Sequence, residues 1–274
     1  MRDDHVAARV AATNQLGDLL DRHWPGAGRI FASLDSTIAL AFLGDYPTPT
    51  SAARIGEARM EAFCRRHHYS GRRSAGVLLQ RLQGAPRPSR EIDPVVLTQL
   101  VRAQTALVRT QRDTIARLDR AIAEALGRHP KAPLLAPLPR SGSISLAQVV
   151  AEVGPILERA SSAEEANAEL GATPVTRVSG KGTASVHFRW AVNKRARKAL
   201  VLFADNSRHA SPWAQQLYVE ARRRGKRHPH AVRIVARAWV RVMWACWHDE
   251  RAYDPARHGA RPRVRVQPRP PVAA

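Results

Sequence analysis

The sequence predicts a mostly α-helical protein: a helical and coiled-coil-like region, then a compact helical domain carrying a helix-hairpin-helix-like turn. Three observations support this. Apolar residues recur three and four apart through most of the chain, which is the period of one helix face. Between Pro94 and Leu126 that spacing persists for about 30 residues, about 45 Å at 1.5 Å per residue. Glycine and proline punctuate the ends of the periodic stretches, as at Pro25, Gly26, Pro47, Pro49, Gly127 and Pro130.

Residues 1–90 divide into short helices. Val6, Val10, Leu16 and Leu20 form the first stripe, which starts with no capping segment ahead of it and so reads as a helix already under way. A second amphipathic stretch runs from Leu34 to Leu43, and two more lie around Ala53–Cys64 and Ser74–Gln83. Arg65, Arg66, His67, His68, Arg72 and Arg73 lie between these last two; with no cysteine or acid at ligand spacing, they read as a polar basic turn rather than a metal site.

Residues 91–129 form the coiled-coil-like helix, with a stripe of Leu97, Leu100, Leu107, Ile115, Leu118, Ile122 and Leu126 interrupted by Gln104 and Gln111. A seam of that length needs a partner helix, in either an intramolecular hairpin or a coiled-coil dimer. PLLAPLPR then reads as a linker, with a domain boundary ahead of a unit at 133–256. In LPRSGSISLAQVVAEVG, Gly142 followed by a cap at Ser143 or Ser145 has the shape of a hairpin turn offering backbone N–H groups to a phosphate, although any capped helix looks similar. Ser211 and Pro212 start a helix that ends at Gly225. The final helix, about Pro229 to Trp247, buries Val232, Val235, Trp239, Met243 and Cys246 and sets Arg233, Arg237 and Arg241 in a row that either tracks a phosphate backbone or faces solvent. Residues 257–274 read as a basic, proline-rich, disordered tail.

With 44 Lys and Arg against 23 Asp and Glu, the net charge is +21 and the pI about 11.5. Such a field attracts polyanions, so nucleic acid is the expected partner. No run approaches the roughly 18 apolar residues of a spanning helix, so no membrane is expected. The absence of a signal-peptide core and two isolated cysteines, Cys64 and Cys246, suit a cytoplasmic, nucleoid-associated protein.

The most informative stretch is GATPVTRVSGKGTASVHFRWAVNKRARKAL, residues 171–200. Gly180 and Gly182, lacking Cβ atoms, leave the Ser179 hydroxyl accessible. Arg177, Lys181, Arg189, Lys194, Arg195, Arg197 and Lys198 surround it with no intervening acid, and the last four fall at the start of a helix, where the macrodipole opposes cations. A bound phosphate would relieve that repulsion; the plainer reading is a solvated basic loop. His187 is the nearest titratable group, but its VHFRW setting favours a structural role.

Taken together, LPRSGSISLAQVVAEVG, GATPVTRVSGKG, NKRARKAL, SPWAQQLYVEARRRGK and WACWHDERAYDP resemble the C-terminal transposase domain of the "one-ten" insertion-sequence family, transposases guided by a bridge RNA. RDDHVAARVAATNQLGDLL, LDSTIALAFLGDYPTP and RIGEARMEAFCRR are similar to the helical linker region that joins that domain to an N-terminal RuvC-like nuclease domain. The resemblance covers nearly all of residues 1–256. It implies a DNA recombinase whose serine, here Ser179, forms a covalent link to DNA with help from a metal-binding acidic quartet in the RuvC-like domain. It also implies DNA as substrate, a guide RNA, and assembly as a homo-oligomer.

The chain departs from the family pattern in three ways. The Pro-Gly-x-Gly hairpin reads Pro139-Arg140-Ser141-Gly142, and Val192 stands where a glycine usually precedes the asparagine, here Asn193. The RuvC-like domain is the third: its strand-end aspartates have no counterpart, since Asp3 and Asp4 fall on a helix, so an N-terminally truncated transposase is expected. No cofactor is expected in this chain, and Mg²⁺ would come with the missing domain. The alternatives are a non-catalytic nucleic-acid-binding remnant and an RNA-associated basic protein.

Overall fold

A computed structural model of the chain describes residues 1–86, 88, 92–177 and 185–258. The protein is mostly helical, with one pair of three-residue strands among the described residues. None of the helices there is long and apolar enough to cross a membrane. Contacts divide the chain into two compact units, Met1–Asp119 and the residues from Arg120 onward.

The first unit contains α1 (Arg2–His23), α2 (Thr37–Asp45), α3 (Pro49–Ala52), α4 (Glu57–Arg66), α5 (Ala75–Gln83) and most of α6 (Pro94–Gly127). Side chains set most of the starts. Ser36 accepts from Ala39 N, Ser74 accepts from Val77 N, and Thr48 and Ser51 form a reciprocal capping box around Pro49. That box starts α3, which ends at Ala52, and Gly56 then restarts the chain as α4, so the helix expected from Ala53 begins at Glu57. The core is aromatic: Phe42 packs against Trp24, Phe31, Tyr46 and Phe63 with ring centroids 5.2–6.2 Å apart.

Helix α6 matches its expected span within a residue, and the Asp93 carboxylate accepts from Val95 N at 2.7 Å at its start. Its buried face is different from the expected one. Leu97, Val101, Thr105 and Val108 face the core, whereas Leu100 and Leu107 are 42% and 43% exposed. The expected stripe shares only Leu97 with the buried face, which continues through β-branched Val101, Thr105 and Val108 at helical spacing. Within the unit, Arg109 donates to Leu40 O at 2.6 Å and His5 Nδ1 lies 2.8 Å from Gln111 Oε1, so this part of α6 packs against its own chain. His67 is the C-cap of α4, and its ring lies 4.5 Å from that of Phe63 at a tilt of 42°.

The second unit contains α7 (Ala132–Leu135), α8 (Ser143–Gln148), a π-turn (Val149–Val153), α9 (Gly154–Arg159), α10 (Ala163–Glu169), β1 (Val175–Arg177), β2 (Ser185–His187), α11 (Lys194–Ser207), α12 (Pro212–Arg223) and α13 (His228–His248). PLLAPLPR, expected to be a linker, is part of this core, because Leu135 and Leu138 are buried in it. The π-turn lies where Pro155 has no N–H to continue the α pattern and its ring would meet the carbonyl four residues back. Helix α13 is central. Its Trp239 is wholly buried, meets Phe203, Trp213 and Tyr253 edge-on at 4.9–5.5 Å, and donates its indole N–H to Ser207 Oγ at 2.7 Å. Helix α12 begins as expected, with Ser211 accepting from Ala214 N ahead of Pro212, and Gly225 past its end is left-handed at φ 74°.

Candidate nucleic-acid interface

Strands β1 and β2 pair antiparallel, with Val175 opposite His187, Thr176 opposite Val186 and Arg177 opposite Ser185. The segment joining them carries Ser179, Gly180 and Lys181, which lie outside the described residues. Sequence reading treated this region as a turn leading to a helix; three paired residues on each side are too few to show strand alternation. His187 is exposed on β2.

Past β2 the chain runs through Phe188, Arg189, Trp190 and Val192 to Asn193, whose side chain accepts from Arg195 N and Ala196 N, both at 3.1 Å, and so caps α11. Gly171 lies behind this turn in the left-handed region at φ 69°, and a β-carbon there would meet Val192 Cγ1 at 2.9 Å and Arg197 Cδ at 3.3 Å. Val192 thus fills space that Gly171 leaves.

Lys194, Arg197 and Lys198 of α11 line a cleft of about 360 Å³ with Phe188 and, from α13, Val232 and Arg233. The Arg197 guanidinium sits 4.5 Å from the Phe188 ring centroid and that of Arg233 sits 4.8 Å from it. Arg197 also donates to Arg189 O at 2.8 Å, which fixes its reach. Burial, then the charge of Arg197, lowers the Arg233 pKa from its ordinary value. His230 is also held below the usual imidazole value, by burial first and then by Arg233 and Lys226. Burial is the larger cause of both shifts and neighbouring positive charge the smaller, and Asp205 is an acid in the same cleft lining. Trp190 is 75% exposed, with its ring edge-to-face on Phe188 at 5.1 Å and 85°.

Other expected cations lie elsewhere or are paired. Arg195 reaches Glu152 at 2.6 Å, and Arg241 reaches Glu164 at 3.0 Å. Arg237 and Arg189 each bury an Nε with no hydrogen-bond partner among the described residues. The row Arg233, Arg237, Arg241 is therefore not a uniform solvent-facing stripe: its first member stacks on Phe188 and its last is ion-paired. The backbone of Arg177 is held in β1. Gly142 is the N-cap of α8 with ordinary backbone at φ −62°, so neither Ser143 nor Ser145 caps that helix; both lie inside it. Arg140, two residues before Gly142, is left-handed at φ 54°. Phe188 and Trp190 were missed as site residues. HFRW, alternating aromatic and basic residues beside a cationic helix start, was the available signal.

The described residues contain no cluster of His, Cys, Asp or Glu that could hold a metal ion. Asp3 and Asp4 lie in the first turn of α1, with Asp3 3.8 Å from Arg2, and they form no metal-holding cluster with other described residues.

The chain is similar to the 42 kDa protein of insertion element IS900 from Mycobacterium paratuberculosis, 30% identical over 83% of this chain and 57% of that protein. It is 29% identical to a candidate transposase of the IS117 mini-circle of Streptomyces coelicolor, over 93% of this chain and 63% of that one. It is 28% identical to the 44.8 kDa protein of insertion element IS116 from Streptomyces clavuligerus, again over 93% and 63%. The chain thus spans about three fifths of the length of these relatives. Residues 132–219, which include the strand pair, the serine segment and all of α11, match the transposase family IS116/IS110/IS902.

Proposed function

We propose that this chain is a member of that transposase family and acts in DNA recombination, with Ser179 as the nucleophile on a DNA phosphodiester. The observation that carries the reading is the strand pair: it anchors the serine segment at Arg177 and Ser185 and leads directly into the Phe188, Arg197 and Arg233 cluster. Ser179 and the cations Lys194, Arg197 and Lys198 thus lie close together in sequence, and Arg233 meets Phe188 from α13. A serine hydroxyl attacks phosphorus only when its proton is removed and the leaving oxygen stabilised. The cations would neutralise charge developing on the phosphoryl oxygens. The described residues do not fit a metal, so the acidic half of such a site would come from outside them. DNA, a guide RNA and a second copy of the chain are the proposed partners.

The test supplies a related RuvC-like domain in trans with Mg²⁺, guide RNA and DNA, and looks for a protein–DNA adduct that survives denaturation. Ser179→Ala should abolish the adduct and leave DNA affinity nearly unchanged, since the hydroxyl contributes little to ground-state binding. Ser185→Ala and Ser143→Ala should retain it. An adduct of equal yield from Ser179→Ala removes that residue as nucleophile. A second reading, nucleic-acid binding without cleavage, draws on Arg140 and Val192 standing where the resemblance expects glycine. Absence of an adduct from every variant would favour it.

A further inference from the structure

We propose that Trp190, braced by Phe188, is a stacking platform for an unpaired nucleobase, and that Arg197, Arg233, Lys194 and Lys198 hold the phosphate next to it. The ligand class is single-stranded or locally unpaired nucleic acid. The proposal rests on the nucleic-acid-binding part of the preceding reading and not on Ser179.

The argument starts from exposure. A tryptophan left 75% exposed keeps a large apolar ring in water, and such residues are enriched where a partner covers them. The ring's pose is supported from beneath. Phe188 meets it edge-to-face at 5.1 Å, and Phe188 is itself held by two guanidinium groups at 4.5 and 4.8 Å. Cations at that distance from a ring are attracted to its face, and here they also anchor the ring that carries Trp190. Positive charge and an open aromatic face therefore lie side by side, the combination that binds a single strand: aromatic rings take bases, cations take the backbone. An aliphatic peptide would use the apolar surface but bring no anion to the guanidinium groups. A duplex would answer the cations but leave Trp190 idle, because its bases are already stacked on one another. Only an unpaired nucleotide uses both.

An unpaired base with its phosphate is common to DNA and RNA, so the test carries both. Affinities of wild type, Trp190→Ala and Trp190→Phe are measured by fluorescence anisotropy, at one salt concentration, for an oligothymidylate, an oligouridylate and a DNA duplex of equal length. Trp190→Ala should weaken single-strand binding by about 5- to 100-fold, the loss of one stacked base, and leave duplex binding unchanged. Trp190→Phe, which keeps an aromatic face, should recover most of the loss. The tighter of the two single strands in wild type identifies the source. Equal losses for single strand and duplex, or no loss for either, would overturn the platform while leaving nucleic-acid binding intact. No binding of any probe by wild type would overturn both readings.

Discussion

Gly154 lies directly beneath the indole of Trp247: a β-carbon at 154 would come within 2.8 Å of Trp247 Cη2. The ring cannot easily retreat, because its N–H is bonded to Glu158 and the side chain is buried in the core of the second unit. Alanine in a helix is favoured over glycine by about 1 kcal/mol, whereas overpacking costs about 1–3 kcal/mol. Packing should win, so Gly154→Ala should lower stability by about 1 kcal/mol in urea denaturation. In a Trp247→Leu background the same change should become neutral or stabilising.

Arg140 should respond in the opposite direction. Its φ of 54° suits glycine, and a side chain in the left-handed region costs about 1–2 kcal/mol. Part of that gain is lost to the greater freedom of glycine in the unfolded chain, so Arg140→Gly should stabilise by about 0.5–1 kcal/mol. Arg140→Ala, which keeps a β-carbon, should show little of this gain in the same melt.

Ser207 is the acceptor for the buried indole N–H of Trp239, and donates its own proton to Ala204 O at 2.8 Å. Ser207→Ala removes a small side chain but strands a buried donor, which should cost about 1–3 kcal/mol. Adding Trp239→Phe to Ser207→Ala should cost less than the same change in wild type, and a double-mutant cycle measures the difference.

The depressed His230 pKa fixes the sign of a pH effect. The folded chain binds fewer protons at this site than the unfolded chain in the window just below the usual imidazole value, so stability there rises with pH and falls on acidification. His230→Gln should flatten this part of a melting temperature against pH profile. A steeper profile in the variant would contradict the assignment.

Leu107 is exposed on α6, and with Leu100 and Val96 it forms a stripe that the first unit leaves uncovered. If this stripe mediates self-association, Leu107→Asp should lower the mass seen by light scattering at unchanged helicity. Full retention of mass would remove the stripe as a contact.

Local signals in the sequence marked the helix ends well. Ser74, Ser211 with Pro212, and Gly225 each act on a backbone group a few residues away, so their effect is written next to them in the chain. The face of α6 was misread because burial is decided by what packs against it, and Val101 and Thr105 face the core where Leu100 and Leu107 do not. PLLAPLPR was misread for the same reason, since two of its leucines find a core supplied by distant helices. At the site, the density of cations was legible, but their division was not. Glu152 and Glu164 answer Arg195 and Arg241 from more than 40 residues away, and Arg233 is drawn to Phe188 rather than to solvent.

The contact between Gly171 and Val192 makes the tolerance of each position depend on the residue at the other. With valine at 192, a β-carbon at 171 meets Cγ1 at 2.9 Å, and the left-handed backbone opposes it as well. With glycine at 192 the closest of these contacts is gone and the left-handed backbone and the 3.3 Å approach to Arg197 Cδ are left, so a substitution at 171 should be milder in a Val192→Gly background. Two residues 21 apart in sequence are therefore coupled through one packing contact, and the valine adds a steric restraint on Gly171 to the one its backbone already imposes.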